Sequence, residues 1–84
     1  MKKDYELVSY LLRGRRRKAV LQSLTKPKTP KEIAKECKIS TSNVSKALSE
    51  LQAKGLVVCI TPKAHFYRFY KITKLGKEAK NKFL

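Results

Sequence analysis

The stretch that decides the fold is TPKEIAKECKISTSNVSKALSELQAKG, Thr29 to Gly55. Thr29 and, three residues on, Glu32 have the spacing of a capping box, and Pro30 sits at a first-turn position where its missing N–H costs nothing. A helix is therefore expected from residue 30. Ile33 and Ala34 point inward, Cys37 follows one turn later, and Lys38-Ile39-Ser40 then breaks the pattern with a polar residue, an apolar plug and a second cap. The first helix should end near Cys37. Ser40 can cap a second helix in which Val44, Leu48 and Leu51 fall at i, i+4 and i+7, and Gly55 suits a left-handed terminus. This predicts a helix over Thr41 to Lys54 and a helix-turn-helix over residues 30–54.

The other face of the second helix carries Thr41, Ser42, Asn43, Ser45, Lys46 and Ser49, which are short, polar and mostly uncharged. A helix that needed only solubility would carry long Glu and Lys pairs, as the preceding IAKECK segment does. Short hydroxyls and an amide let a helix backbone come close to a surface and still offer hydrogen bonds, which is what reading base edges in a major groove requires. A solvated surface helix rich in serine has the same pattern, and the segment alone leaves both readings open.

Composition narrows the choice. The 84 residues hold 21 Lys and Arg against 6 Asp and Glu, a net charge of +15, and the sequence pI is about 10.2. A chain of this length is expected to be one domain, residues 1–84, with a small core. Such a basic excess points to a polyanion, and a pI above about 9 is the footprint of a nucleic-acid binder. No run approaches the ~18 apolar residues needed to span a bilayer, so no membrane partner is expected. The N-terminal LVSYLL is too short, and lacks the flank, for a secretory signal. The expected location is the cytoplasm, in association with the nucleoid.

Upstream of the motif, a terminal helix over residues 4–13 carries Tyr5, Leu7, Val8, Tyr10, Leu11 and Leu12, an apolar face wider than a small core needs. Either it folds back on its own domain or it meets a partner. Gly14 marks a break. Arg17, Val20, Leu21 and Leu24 then follow a helical spacing, with the last three destined for the core. From Arg13 to Lys28 there are seven basic residues and no acidic one, a density that can grip phosphates whatever the base sequence. Lys26-Pro27-Lys28-Thr29-Pro30 reads as a turn with a short extended piece, because residues before proline avoid helical angles.

Downstream, LVVCIT and FYRFYKIT are β-branched and aromatic segments around Pro62-Lys63-Ala64-His65, which predicts a hairpin over residues 56–73 with a basic tip. Tyr70 and Ile72 share one strand face and should close the core. Phe66, Tyr67 and Phe69 are expected to pack in or across the sheet rather than stack on single strands. Thr73 can cap a last helix over residues 74–83, with Leu75, Ala79 and Phe83 four residues apart against a lysine-rich face, a stripe that either packs on its own domain or meets a partner.

These pieces resemble a known family. IS-x-S-x-VS-x-x-L-x-x-L-x-x-KGLV, from Ile39 to Val57, and RFYKIT-x-x-G-K, from Arg68 to Lys77, are similar in content and order to the winged helix-turn-helix of MarR-type and ArsR-type transcription regulators, particularly their small archaeal relatives. The resemblance covers roughly residues 15 to 80. It implies a mainly α fold with a small β-hairpin wing, a recognition helix at Thr41 to Lys54, a wing near Thr61 to Arg68, and double-stranded DNA as ligand. Base readout would fall to Thr41, Ser42, Asn43, Ser45, Lys46 and Ser49. Arg15 and Arg16, with Lys63 and Arg68 of the wing, would hold the backbone. The wing tip lacks the glycine and arginine cluster such wings often show. Terminal helices commonly pair the subunits in this family, so the resemblance implies a homodimer through Tyr5, Val8, Leu12, Leu75, Ala79 and Phe83.

No enzyme chemistry is expected. The carboxylates are scattered, His65 is the only histidine, and no Gly-rich phosphate cradle is present, so there is no paired acid and base and no activated nucleophile. Cys37 and Cys59 with His65 make no tetrahedral set, so no metal and no cofactor is expected and both thiols should be structural and reduced. Three functions remain: a sequence-specific regulator, an architectural protein coating DNA with little sequence preference, and a protein-interaction module, against which the basic excess argues.

Overall fold

The structure, a computed structural model, describes residues 6, 9, 10, 13–64 and 68–83. Helix α1 spans Arg15–Ser23, α2 Pro30–Cys37 and α3 Thr41–Ala53; strands β1 Val57–Cys59 and β2 Tyr70–Ile72 form an antiparallel pair, and α4 spans Lys74–Phe83. Glu6, Ser9, Tyr10 and Arg13 are also helical.

The local signals act as read. The Thr29 side chain accepts from the Glu32 backbone N–H, and the Glu32 carboxylate accepts in return from the Thr29 N–H at 3.0 Å, a complete capping box. Those bonds hold the Glu32 carboxyl below its usual pKa. Ser40 caps α3 by accepting from Asn43 N–H at 3.2 Å, and the Thr73 hydroxyl caps α4 by accepting from Gly76 N–H at 3.0 Å. Gly55 ends the α3 segment at φ +75. The turn between α2 and α3 departs from expectation, because Lys38, which has a Cβ, adopts the left-handed conformation at φ 57. Its N–H and that of Ile39 both reach Ala34 O, which stops α2 and delivers Ile39 to the edge of the core.

One core joins all these elements. Val20, Leu21 and Leu24 of the α1 segment meet Ile33 and Ala34 of α2, Val44, Ala47, Leu48 and Leu51 of α3, Leu56 and Val57 before the wing, and Ala79 of α4. Tyr70 and Ile72 pack against its edge. Full burial of each large aliphatic side chain contributes about 1.5–3 kcal/mol, so these few residues carry most of the driving force. The extended piece between the prolines becomes a bridge: Lys28 pairs with Tyr70, its N–H donating to Tyr70 O at 3.0 Å and its carbonyl accepting at 2.8 Å.

Lys28 is itself almost fully buried, a costly place for an ammonium unless every proton is used. Its Nζ donates to Ser23 O, at the end of α1, at 2.5 Å and to Glu36 of α2 at 2.7 Å. A cation read from sequence as a phosphate contact is instead an internal tie between two helices and the sheet.

At the far end of the chain, Gly76 lies so close to the strand segment that a methyl group there would overlap the Leu56 carbonyl oxygen and crowd Ile72. Only glycine lets α4 dock at this distance. Ala79, expected at a subunit interface, is 3% exposed and belongs to the chain's own core, because that close docking turns the Gly76 and Ala79 stripe inward.

Candidate nucleic-acid interface

Helix α3 is sharply two-sided. Val44, Ala47, Leu48 and Leu51 are buried, while Thr41, Ser42, Ser45, Lys46 and Ser49 are exposed and Asn43 is half-buried. The six residues singled out for base readout thus share the outward side of one helix, where the long side chains are Lys46 and, in the last turn, Gln52. Ser42 also lies 3.3 Å, oxygen to oxygen, from the capping hydroxyl of Ser40, so the first turn presents a small hydroxyl cluster.

Beside this face the start of α1 forms an open cleft of about 530 Å³. Arg13, Arg15, Arg16 and Arg17 line one wall; Asn43, Lys46, Ala47 and Glu50 of α3 line the other. Arg15 and Arg16 are exposed. The first turn of α1 has no acidic residue and its N-cap, Gly14, offers no side-chain bond, so the positive end of the helix and the guanidinium groups act together. An anion entering the cleft meets both.

Arg17 is the exception in this cluster. Its Nη1 donates to Glu50 of α3 at 2.8 Å, Nη2 donates to Tyr10 O at 3.2 Å, and the guanidinium carbon lies 4.2 Å from the centre of the Tyr10 ring. Lys54 Nζ stands 5.4 Å from the same ring centre. Burial raises the Tyr10 phenol pKa, Arg17 opposes that and Glu50 adds to it, so the ring stays neutral at physiological pH. The ensemble ties the segment before α1 to α3. Of the seven basic residues between Arg13 and Lys28, Arg17 and Lys28 are therefore engaged within the chain. Spacing alone hid this, although Glu50 as a lone acid on a helix of serines and lysines was a signal that some cation needed a partner.

The hairpin leaves from the end of α3 through Gly55. Its arms continue beyond the paired strands, with Ile60 N–H donating to Phe69 O at 2.9 Å and Phe69 N–H to Thr61 Oγ1 at 2.9 Å. Ala64 N–H closes a turn on Thr61 O at 3.1 Å around Pro62 and Lys63. Lys63 is exposed at that turn. Arg68 is exposed as well, yet its Nε donates to Ala64 O at 2.8 Å, which lays the side chain across the wing. Phe69 is half-buried; His65, Phe66 and Tyr67 lie outside the described residues.

Of the residues expected to pair subunits, Leu75 is 42% exposed on α4. Tyr5, Val8 and Leu12 lie outside the described residues, as does the Phe83 side chain. Among the described residues no three His, Cys, Asp or Glu side chains are grouped to hold a metal ion, and no helix is long and apolar enough to cross a membrane.

Comparison with known proteins places this arrangement. The family model described as MarR family matches residues 20–63, from within α1 to the wing turn. The crystal structure of a MarR family transcription regulator superposes with a TM-score of 0.74 at 23% identity, covering 92% of this chain and 55% of that one, so the chain spans about half the length of that regulator. The solution structure of a homodimeric winged helix-turn-helix DNA-binding domain from Mycobacterium bovis, a possible ArsR-family transcriptional regulator, matches with a TM-score of 0.71 at 22% identity over 95% of this chain and 71% of that one. At such identities the likeness establishes the fold, a winged helix-turn-helix. No protein of curated function matches the sequence.

Proposed function

The chain belongs to the MarR family, and on that premise we propose that it is a homodimeric, sequence-specific double-stranded DNA-binding protein that regulates transcription. The observation that carries the reading is the outward side of α3, where short uncharged groups and one lysine are framed by the arginine cleft. Ser42, Asn43, Ser45 and Lys46 read base edges, with Thr41 and Ser49 at the margins. Arg15 and Arg16 hold phosphates on one side, and Lys63 and Arg68 hold them from the wing. Exposed Leu75, with Phe83, Tyr5, Val8 and Leu12, supplies the subunit contact, and the homodimeric state of the Mycobacterium bovis neighbour supports pairing. Working on chromosomal DNA, the protein acts in the cytoplasm at the nucleoid, without catalysis.

Selection from random duplexes tests this. A dimer of readers enriches an inverted repeat whose half-sites lie one helical turn, roughly 34 Å, apart. The preference for that repeat over scrambled duplex persists at about a thousandfold or more at physiological salt, because base contacts are weakened little by counterions. The net charge of +15 also suits an architectural coat, and equal affinity for selected and scrambled duplexes across a salt titration would establish that reading instead.

A further inference from the structure

The proposed interface uses Arg15, Arg16, Lys46, Lys63 and Arg68, and leaves much of the positive charge elsewhere. Helix α4 alone carries Lys74, Lys77, Lys80 and Lys82 against one carboxylate, Glu78. Two of these lysines line a second groove, of about 270 Å³, between α4 and the end of α1. Its floor is Leu24 and Ile72, and its polar lining is Lys77, Lys80, Asn81 and Thr25. Among the described residues no acidic one lines it.

Three features set this groove apart from a solvated lysine face. First, the nearby carbonyl at the end of α1, Ser23 O, is taken by Lys28. The ammonium groups of Lys77 and Lys80 make no hydrogen bond or ion pair among the described residues. Second, a hydroxyl residue and an amide residue line the same groove as the two lysines, a donor set suited to phosphate oxygens. Third, its place is far from the reader. The arginine cleft is at the start of α1 and this groove is at its end, roughly 12 Å along a nine-residue helix. Leu24 belongs to the same core that buries the inner face of α3, so the core lies between the groove and the outward side of α3.

We propose that this groove is a second site for backbone phosphates, which holds a second DNA duplex while α3 engages the first, so that one protein bridges two duplexes. The proposal rests on the reading of α3 as the first DNA contact. On α4, Leu75 and Lys80 flank the inward Gly76 and Ala79 on opposite sides at 3.6 residues per turn, so a subunit contact made at Leu75 does not itself use Lys80.

The test uses the full chain with one biotinylated duplex on beads and a second, fluorescent duplex in solution. Wild-type protein retains the fluorescent duplex, and a Lys77→Gln, Lys80→Gln variant lowers that retention about tenfold, because an uncharged amide no longer displaces the counterions whose release favours binding at each phosphate. Fluorescence anisotropy shows the same variant binding a single duplex with unchanged affinity, which separates this site from the reading face. Lys77→Glu alone, at an exposed position, gives the same pattern if the half-buried Lys80 proves intolerant of change. Titration with inorganic tripolyphosphate distinguishes a free phosphate anion from a duplex. Tripolyphosphate binding that depends on both lysines, without retention of a second duplex, overturns the proposal. So does bridging that survives both lysine changes, since it would then arise from two reading faces of a dimer.

Discussion

Helices α3 and α4 are both amphipathic, both capped by a hydroxyl, and both belong to a strongly basic chain, yet their outward sides differ in kind. That of α3 is a surface of serine, threonine, asparagine and glutamine with a single lysine; that of α4 is chiefly lysine. Short side chains bring a backbone close to a partner and favour contacts whose geometry depends on the partner's chemistry. Long ammonium chains reach a charge across water and care little for what carries it. Where positive charge does stand beside α3, it is supplied from another element, by the arginines of α1. Short uncharged side chains and long cationic ones are thus largely kept on separate helices.

The anchoring differs as well, and the largest effect comes from breaking it. Helix α4 is seated through a close approach at Gly76, so Gly76→Ala, which drives a methyl group into the Leu56 carbonyl, should lower stability by about 2–3 kcal/mol. For a domain of this size that is a fall in melting temperature of about 10–20 °C, read by circular dichroism. A change of only a few degrees would mean that α4 is not seated as described. The second test sharpens the contrast on the outward side of α3. Ser45→Ala with Lys46→Ala should weaken binding to the selected site by about 1–3 kcal/mol in competition assays, with little change in melting temperature. If discrimination between selected and random duplex is unchanged, α3 is not the reader.

The smallest effect concerns how α3 is entered. Helix α4 follows an ordinary cap, whereas α3 follows a lysine held left-handed. Lys38→Gly should relieve that conformation and raise stability by about 0.5–1 kcal/mol, less than the full left-handed penalty because glycine loses more chain entropy on folding. Denaturant unfolding would register it as a higher midpoint with an unchanged slope. A lower midpoint would show that the Lys38 side chain contributes more than its backbone costs.

Much of this architecture is legible in the sequence. The capping box at Thr29 and Glu32, the cap at Ser40, the i, i+4, i+7 stripe of α3, the extended residue between two prolines and the left-handed Gly55 all depend on interactions within a few residues. Local pattern therefore determined where the helices begin, which side of α3 faces the core, and that the other side is short and polar. The tertiary structure decided which charges remain available. Arg17 meets Glu50 from 33 positions away, and Lys28 is buried against Ser23 and Glu36. No spacing rule separates these two from the neighbouring cations, since all seven look alike until the chain brings a carboxylate or a carbonyl to some of them. The inward place of Ala79 likewise follows from how closely Gly76 approaches Leu56. Backbone caps are set by neighbours in the chain; the fate of a long charged side chain is set by neighbours in space.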